Sequence, residues 1–88
     1  MRTIGIDLAV AGQHKAIVVD DRGEFVSPLL KLSTLPSDLD RLLARARGDH
    51  LAAPLAAVME PTGMAWFPIA VYLLRHDTQV YLVSSQQV

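Results

Sequence analysis

What most restricts the fold of this chain is a change of hydrophobic period partway along it. As far as residue 32 the apolar residues come in short extended runs separated by turn-forming residues. Between residues 34 and 50, in "TLPSDLDRLLARARGDH", Leu39, Leu42, Leu43 and Ala46 instead recur at i, i+3, i+4 and i+7. The first pattern is that of strands and the second that of an amphipathic helix. A chain that switches from one to the other must build a sheet first and then cover it.

The runs define the elements. Residues 3–9, "TIGIDLA", read as a first strand with Ile4, Ile6 and Leu8 on one face and Gly5, Asp7 and Ala9 on the other. After a glycine-bearing turn at residues 10–14, residues 15–19, "KAIVV", give a second strand, and the turn "DDRG" leads to a third extended segment, "EFVSPLLKL", at residues 24–32. Strand, turn, strand, turn, strand at this spacing predicts an antiparallel meander. Pro28 has no N–H for an inner ladder, which puts the third segment at the sheet margin. The helix that follows carries Ser37 and Asp40 in capping-box spacing and Gly48 as its stop. "LAAVM" at residues 55–59 is a strand buried on both faces, ended by Glu60 and Pro61. A second helix in "MAWFPIAVYLLRH" shows Ile69, Tyr72 and Leu73 as its stripe, with Pro68 in the first turn. "TQVYLV" makes a fifth strand, and residues 84–88 form a polar tail. The expected class is α/β with a mixed sheet in the order β β β α β α β.

Composition bounds what such a fold can do. Eighty-eight residues make a single core, and a domain this small buries only roughly 60–65% of the surface its unfolded chain exposes. At 51% hydrophobic residues, the chain is richer in apolar side chains than a lone small domain needs. A net charge of −1 argues against a self-sufficient nucleic-acid-binding module, which would carry a positive field. The absence of cysteine excludes disulfides and thiolate metal sites, and His50 and His76 lack zinc-ligand spacing. No secretory signal and no apolar run near membrane-spanning length is present, so a soluble, cytoplasmic protein is expected.

Two acids stand where a fold alone has no use for them. A carboxylate in an apolar strand costs several kcal/mol unless it is paired, hydrogen-bonded or bound to a metal. Asp7 lies near the C-terminal end of the first strand and Glu60 ends the fourth. If those strands are parallel neighbours about 4.8 Å apart, both acids reach one rim and can share Mg²⁺ or Mn²⁺. The alternatives are a turn-forming role for Asp7 and a helix-capping role for Glu60.

The residues "IGIDLAVAGQHKAIVVDDRGEFV", followed by "AAVMEPTGMAWFPIAVYLLRHDTQVYLV", resemble the N-terminal part of insertion-sequence transposases with a RuvC-like DEDD catalytic domain. That group includes the pilin-gene inverting recombinase. The resemblance runs from "GID" to the fifth strand; "VSSQQV" at the end departs from the V-N-P-type stretch of the family. It implies a ribonuclease-H-like sheet, a DNA recombinase activity, and four acids holding Mg²⁺ (or Mn²⁺), of which Asp7 matches the first and Glu60 the second. The other two acids, and a serine-bearing C-terminal domain, are implied downstream of these residues. The chain is therefore expected to be a piece of the catalytic domain truncated after the fifth strand, inactive alone, and to self-associate as a homo-oligomer through bared apolar surface. Its implied partners are DNA and, as in some relatives, a guide RNA.

Several other residues have both a functional and a structural reading. His14 and Lys15, and Arg41 and Arg45 with Arg47 on the first helix, are candidate phosphate contacts or simply solvated side chains. Trp66 and Phe67 can stack on a base or belong to the core. Thr62 and Gly63 follow the second acid, the threonine as a helix cap. Rival functional readings are an actin-like or sugar-kinase ATPase lobe, a Holliday-junction resolvase and a non-catalytic dimerisation domain. Ala9, Val10 and Ala11 stand where the ATPase reading needs phosphate-cradling glycine and hydroxyl residues.

Overall fold

The alternation read from the first strand builds the centre of a five-stranded mixed sheet in the order β3-β2-β1-β4-β5. The computed structural model describes residues 1–48, 54–61 and 63–84. Strand β1 (Arg2–Asp7) pairs antiparallel with β2 (His14–Val19), which pairs antiparallel with β3 (Leu30–Leu32). On its other side β1 pairs parallel with β4 (Leu55–Met59), and β4 pairs parallel with β5 (Thr78–Leu82). Helix α1 (Pro36–Arg47) joins β3 to β4, and α2 (Trp66–Arg75) joins β4 to β5. The α/β class, the element order and the antiparallel meander are as the sequence predicts.

Both helices cover one face of the sheet. Ile4 and Ile6 of β1, Ala16 and Val18 of β2, and Leu55, Ala57 and Met59 of β4 project to that face and are buried. Leu39, Leu42, Leu43 and Ala46 of α1 and Ile69 and Leu73 of α2 join them in a single apolar cluster. The residues between them, Gly5, Asp7, Lys15, Ile17 and Val58, lie on the opposite face, over which no described helix packs. Trp66 packs half-buried against the core, edge-on to the exposed ring of Phe67.

Two local expectations are corrected. The third extended segment is not one strand over residues 24–32: regular pairing is confined to Leu30–Leu32, preceded by an isolated bridge between Val19 and Phe25. Pro28 lies between the two pairings and has no N–H to continue the ladder. The capping box also differs. Leu35 is the N-cap and Pro36 opens the helix, so Ser37 lies inside the first turn and makes no capping bond. No side chain caps this end; instead the Asp38 carboxylate reaches back to the residues before the helix, accepting the Ser33 N–H at 2.8 Å and its hydroxyl at 2.9 Å. These bonds hold the Asp38 carboxyl below its ordinary value of 3.8.

The other end of α1 closes as expected at Gly48, whose φ of 54° suits glycine and whose N–H bonds Ala44 O. The Arg2 guanidinium donates to Ala46 O at 2.8 Å, and a Cβ on Gly48 would come within 3.1 Å of it. In the β2–β3 connection, the Asp20 carboxylate accepts N–H bonds from Glu24 and Arg22, which hold its pKa below 3.8. Pro68 falls in the first turn of α2, where its missing N–H costs nothing. The expected tail keeps Ser84 outside any strand, and residues 85–88 lie outside the described residues. No helix among the described residues is long and apolar enough to cross a membrane.

Candidate functional site

The parallel ladder between β1 and β4 runs from Arg2–Leu55 to Ile6–Met59. Asp7 and Glu60 are the next residue on each strand, so the two acids stand at the same end of neighbouring strands. They are brought together as the sequence reading requires. Asp7 lies on the open face and is exposed, while Glu60 is half-buried. Both line one cavity of about 490 Å³ at that rim.

The cavity owes its shape to the residues beside the acids. Gly5 provides a floor without a side chain, and Ile17, Val58 and Leu29 line it with apolar surface. A Cβ added to Gly5 would meet Ile17 Cγ1 at 3.4 Å, which shows the two residues sharing that floor. Lys15 brings the cation of the site: it is the register partner of Asp7 across β1 and β2 and lines the same cavity.

The remaining candidates lie elsewhere. His14 is on the helix-covered face, only 5% exposed, and its Nδ1 accepts the Ala9 N–H at 2.9 Å. It fastens the turn after β1 and is buried rather than solvated. Arg45 is exposed on α1, in the layer behind the sheet. Arg41 reaches the β3 edge, donating to Lys31 O at 2.9 Å and pairing with Asp38 at 3.7 Å. Arg47 donates to His76 O at 2.7 Å, and His76 stacks on Tyr72 at the end of α2. Thr62 and His50 lie outside the described residues, and Gly63 has a φ of 62° in the turn before α2.

The donor set suits a hard divalent cation. Mg²⁺ is held through one or two carboxylates while keeping several waters, and Asp7 with Glu60 supplies two such oxygen donors beside an open cavity. Among the described residues no group of three or more His, Cys, Asp or Glu side chains is placed to hold a metal. Asp7 and Glu60 are thus a pair of carboxylates beside an open cavity.

Sequence reasoning missed two contributors. Gly5 is legible in the sequence only as a residue of the less bulky face, and Leu29 joins the cavity only because of how the segment before β3 bends. No protein-family model matches the chain, and no curated protein matches it.

Proposed function

We propose that this chain is the N-terminal part of a DNA transposase or recombinase with a ribonuclease-H-like, RuvC-type catalytic domain, in which Asp7 and Glu60 are two of the acidic ligands of a Mg²⁺ site. The observation that carries the reading is the β1–β4 pairing, which ends at Ile6–Met59 and leaves both acids at one rim. The sheet order β3-β2-β1-β4-β5 supports it, with the first strand central and the fourth beside it, as the family likeness implies.

When bound, the metal would polarise a phosphoryl oxygen and activate an attacking oxygen. The chain's own residues do the rest. Asp7 extends from a strand held on both sides, which fixes its carboxylate more firmly than a loop would. Glu60 supplies the second oxygen donor from the adjacent strand. Gly5 leaves the space above the sheet open to a phosphodiester, and the Ile17 and Val58 side chains give that space apolar walls, where charge interactions are stronger than in bulk water.

The test is plasmid nicking in Mg²⁺ by the complete gene product. Asp7→Asn and Glu60→Gln should each reduce nicking by about 10³-fold, the scale of losing a group that acts on the reacting atoms. Wild-type nicking by either variant would overturn the reading.

A further inference from the structure

The register of the sheet extends the site beyond the acids. Asp7 stands opposite Lys15, and Lys15 stands opposite Lys31. Directly opposed residues share a face, so Asp7, Lys15 and Lys31 form one row across β1, β2 and β3, about 4.8 Å from each strand to the next, and Glu60 follows the end of β4 at the same rim. At the far end of the row the Arg41 guanidinium is fixed to the main-chain oxygen of Lys31. The two acids thus continue into two lysines on the open face, with the Arg41 guanidinium at the β3 edge beyond them.

The placing of Lys15 opposite Lys31 works against the sheet. Like charges directly opposite on paired strands are destabilising. Neither lysine forms an ion pair among the described residues, where the ion pairs are Met1 with Asp21 and Arg41 with Asp38. Both are exposed. Opposed, unpaired lysines beside a carboxylate pair are suited to an extended polyanion whose one end reaches the acids.

We propose that Lys15, Lys31 and Arg41 form a track for the phosphodiester backbone of a DNA strand and lead it across the sheet to Asp7 and Glu60. The proposal rests on the reading of the acids as a strand-cleaving site and names how the substrate is held there. The row reads charge and spacing only: it contains no aromatic platform and binds without base preference. The weakly negative net charge of the chain supplies no general positive field, so attraction for a strand would be local to Lys15, Lys31 and Arg41.

The experiment is fluorescence anisotropy of the 88-residue chain with a labelled single-stranded DNA 12-mer, in about 20 to 200 mM salt, since backbone contacts weaken steeply with ionic strength. Replacing Lys15 and Lys31 together by Gln should lower affinity at the lowest salt by roughly tenfold or more, and should reduce the slope of log K against log salt by about 1.4, or about 0.7 for each lost cation. Arg45→Gln, in the layer behind the sheet, should change neither. An unaltered amide spectrum outside the substituted positions confirms that the double variant is folded. The proposal is overturned if the double variant keeps wild-type affinity and slope, if the wild-type chain binds no strand at the lowest salt, or if an RNA 12-mer is preferred over DNA by tenfold. Metal-induced broadening at Asp7 and Glu60 is measured on the same double variant. If it persists while DNA binding is insensitive to the lysines, the track fails and the acid site stands; if it is absent also from the wild type, the acid site itself has failed.

Discussion

The two faces of one sheet are built from alternate residues of the same strands, and they differ in nearly everything else. Toward the helices, Ile4, Val18, Leu55 and Met59 are almost wholly buried in a cluster that both helices close. Toward the open side, the residues next in sequence are Gly5, Asp7, Lys15, Ile17 and Val58, which line a cavity instead of a core. A period of two lets the chain keep stability and chemistry apart without separate segments for each. Charges sit where their loss from the fold costs little.

That contrast should be visible in denaturation. Ile4→Ala removes a fully buried side chain from the central strand and should cost about 2–5 kcal/mol in urea unfolding. Ile17→Ala, on the same sheet but the open face, should cost about 1 kcal/mol or less. Equal losses at the two positions would mean that the open face is covered in solution.

His14 is the one polar residue of the covered face whose bond organises the site's border. His14→Ala leaves the Ala9 N–H without its partner and should cost about 1–3 kcal/mol. Hydrogen exchange should show the same event locally, as faster exchange of the Ala9 amide.

A smaller effect follows from two hydrogen-bonded carboxylates. Asp38 and Asp20 are held below their ordinary value by N–H donors, in the first case chiefly Ser33 and in the second chiefly Glu24. A carboxylate lowered on folding adds stability above its unfolded pKa, near 3.8, and that stability is lost as pH falls through the lower folded value. Asp38→Asn should therefore lower the thermal midpoint at neutral pH, with the difference closing as pH falls through the lowered folded value. A difference that stayed constant with pH would show that the carboxylate's charge is not what ties Ser33 to the first turn of α1.

The smallest change is expected at the cavity floor. Gly5→Ala places a methyl group in ordinary contact with Ile17 and should alter stability by no more than about 0.5 kcal/mol. Its effect belongs to the cavity, which it narrows beside the acids.

Much of this arrangement was legible in the residues. The switch from alternating to helical spacing defined both helices and the covered face, and the limits of β4 followed from a continuous apolar run bounded by Glu60 and Pro61. Asp7 could be noticed because a carboxylate is out of place among strand formers. What escaped the reading depended on register or on where the first helix begins. Ser37 has the right spacing for a capping box, but Pro36 takes the first helical position, so Ser37 falls inside the first turn and the Asp38 carboxylate bonds Ser33 ahead of the helix instead. His14 looks solvated in sequence and is buried because β2 begins one residue earlier, putting it on the core side. Lys31 meets Lys15 only once the bridge at Phe25 and the break at Pro28 have set how far β3 slides along β2.

The measurement that bears most directly on the central claim is a Mn²⁺ titration of the 88-residue chain followed by paramagnetic broadening of its amide signals. If Asp7 and Glu60 share a cation, the amides of residues 6–8 and 59–60 broaden first, and Asp7→Asn or Glu60→Gln abolishes the effect at the same metal concentration. Broadening that begins elsewhere, for example around Asp20 and Asp21, or that survives both substitutions, would contradict it.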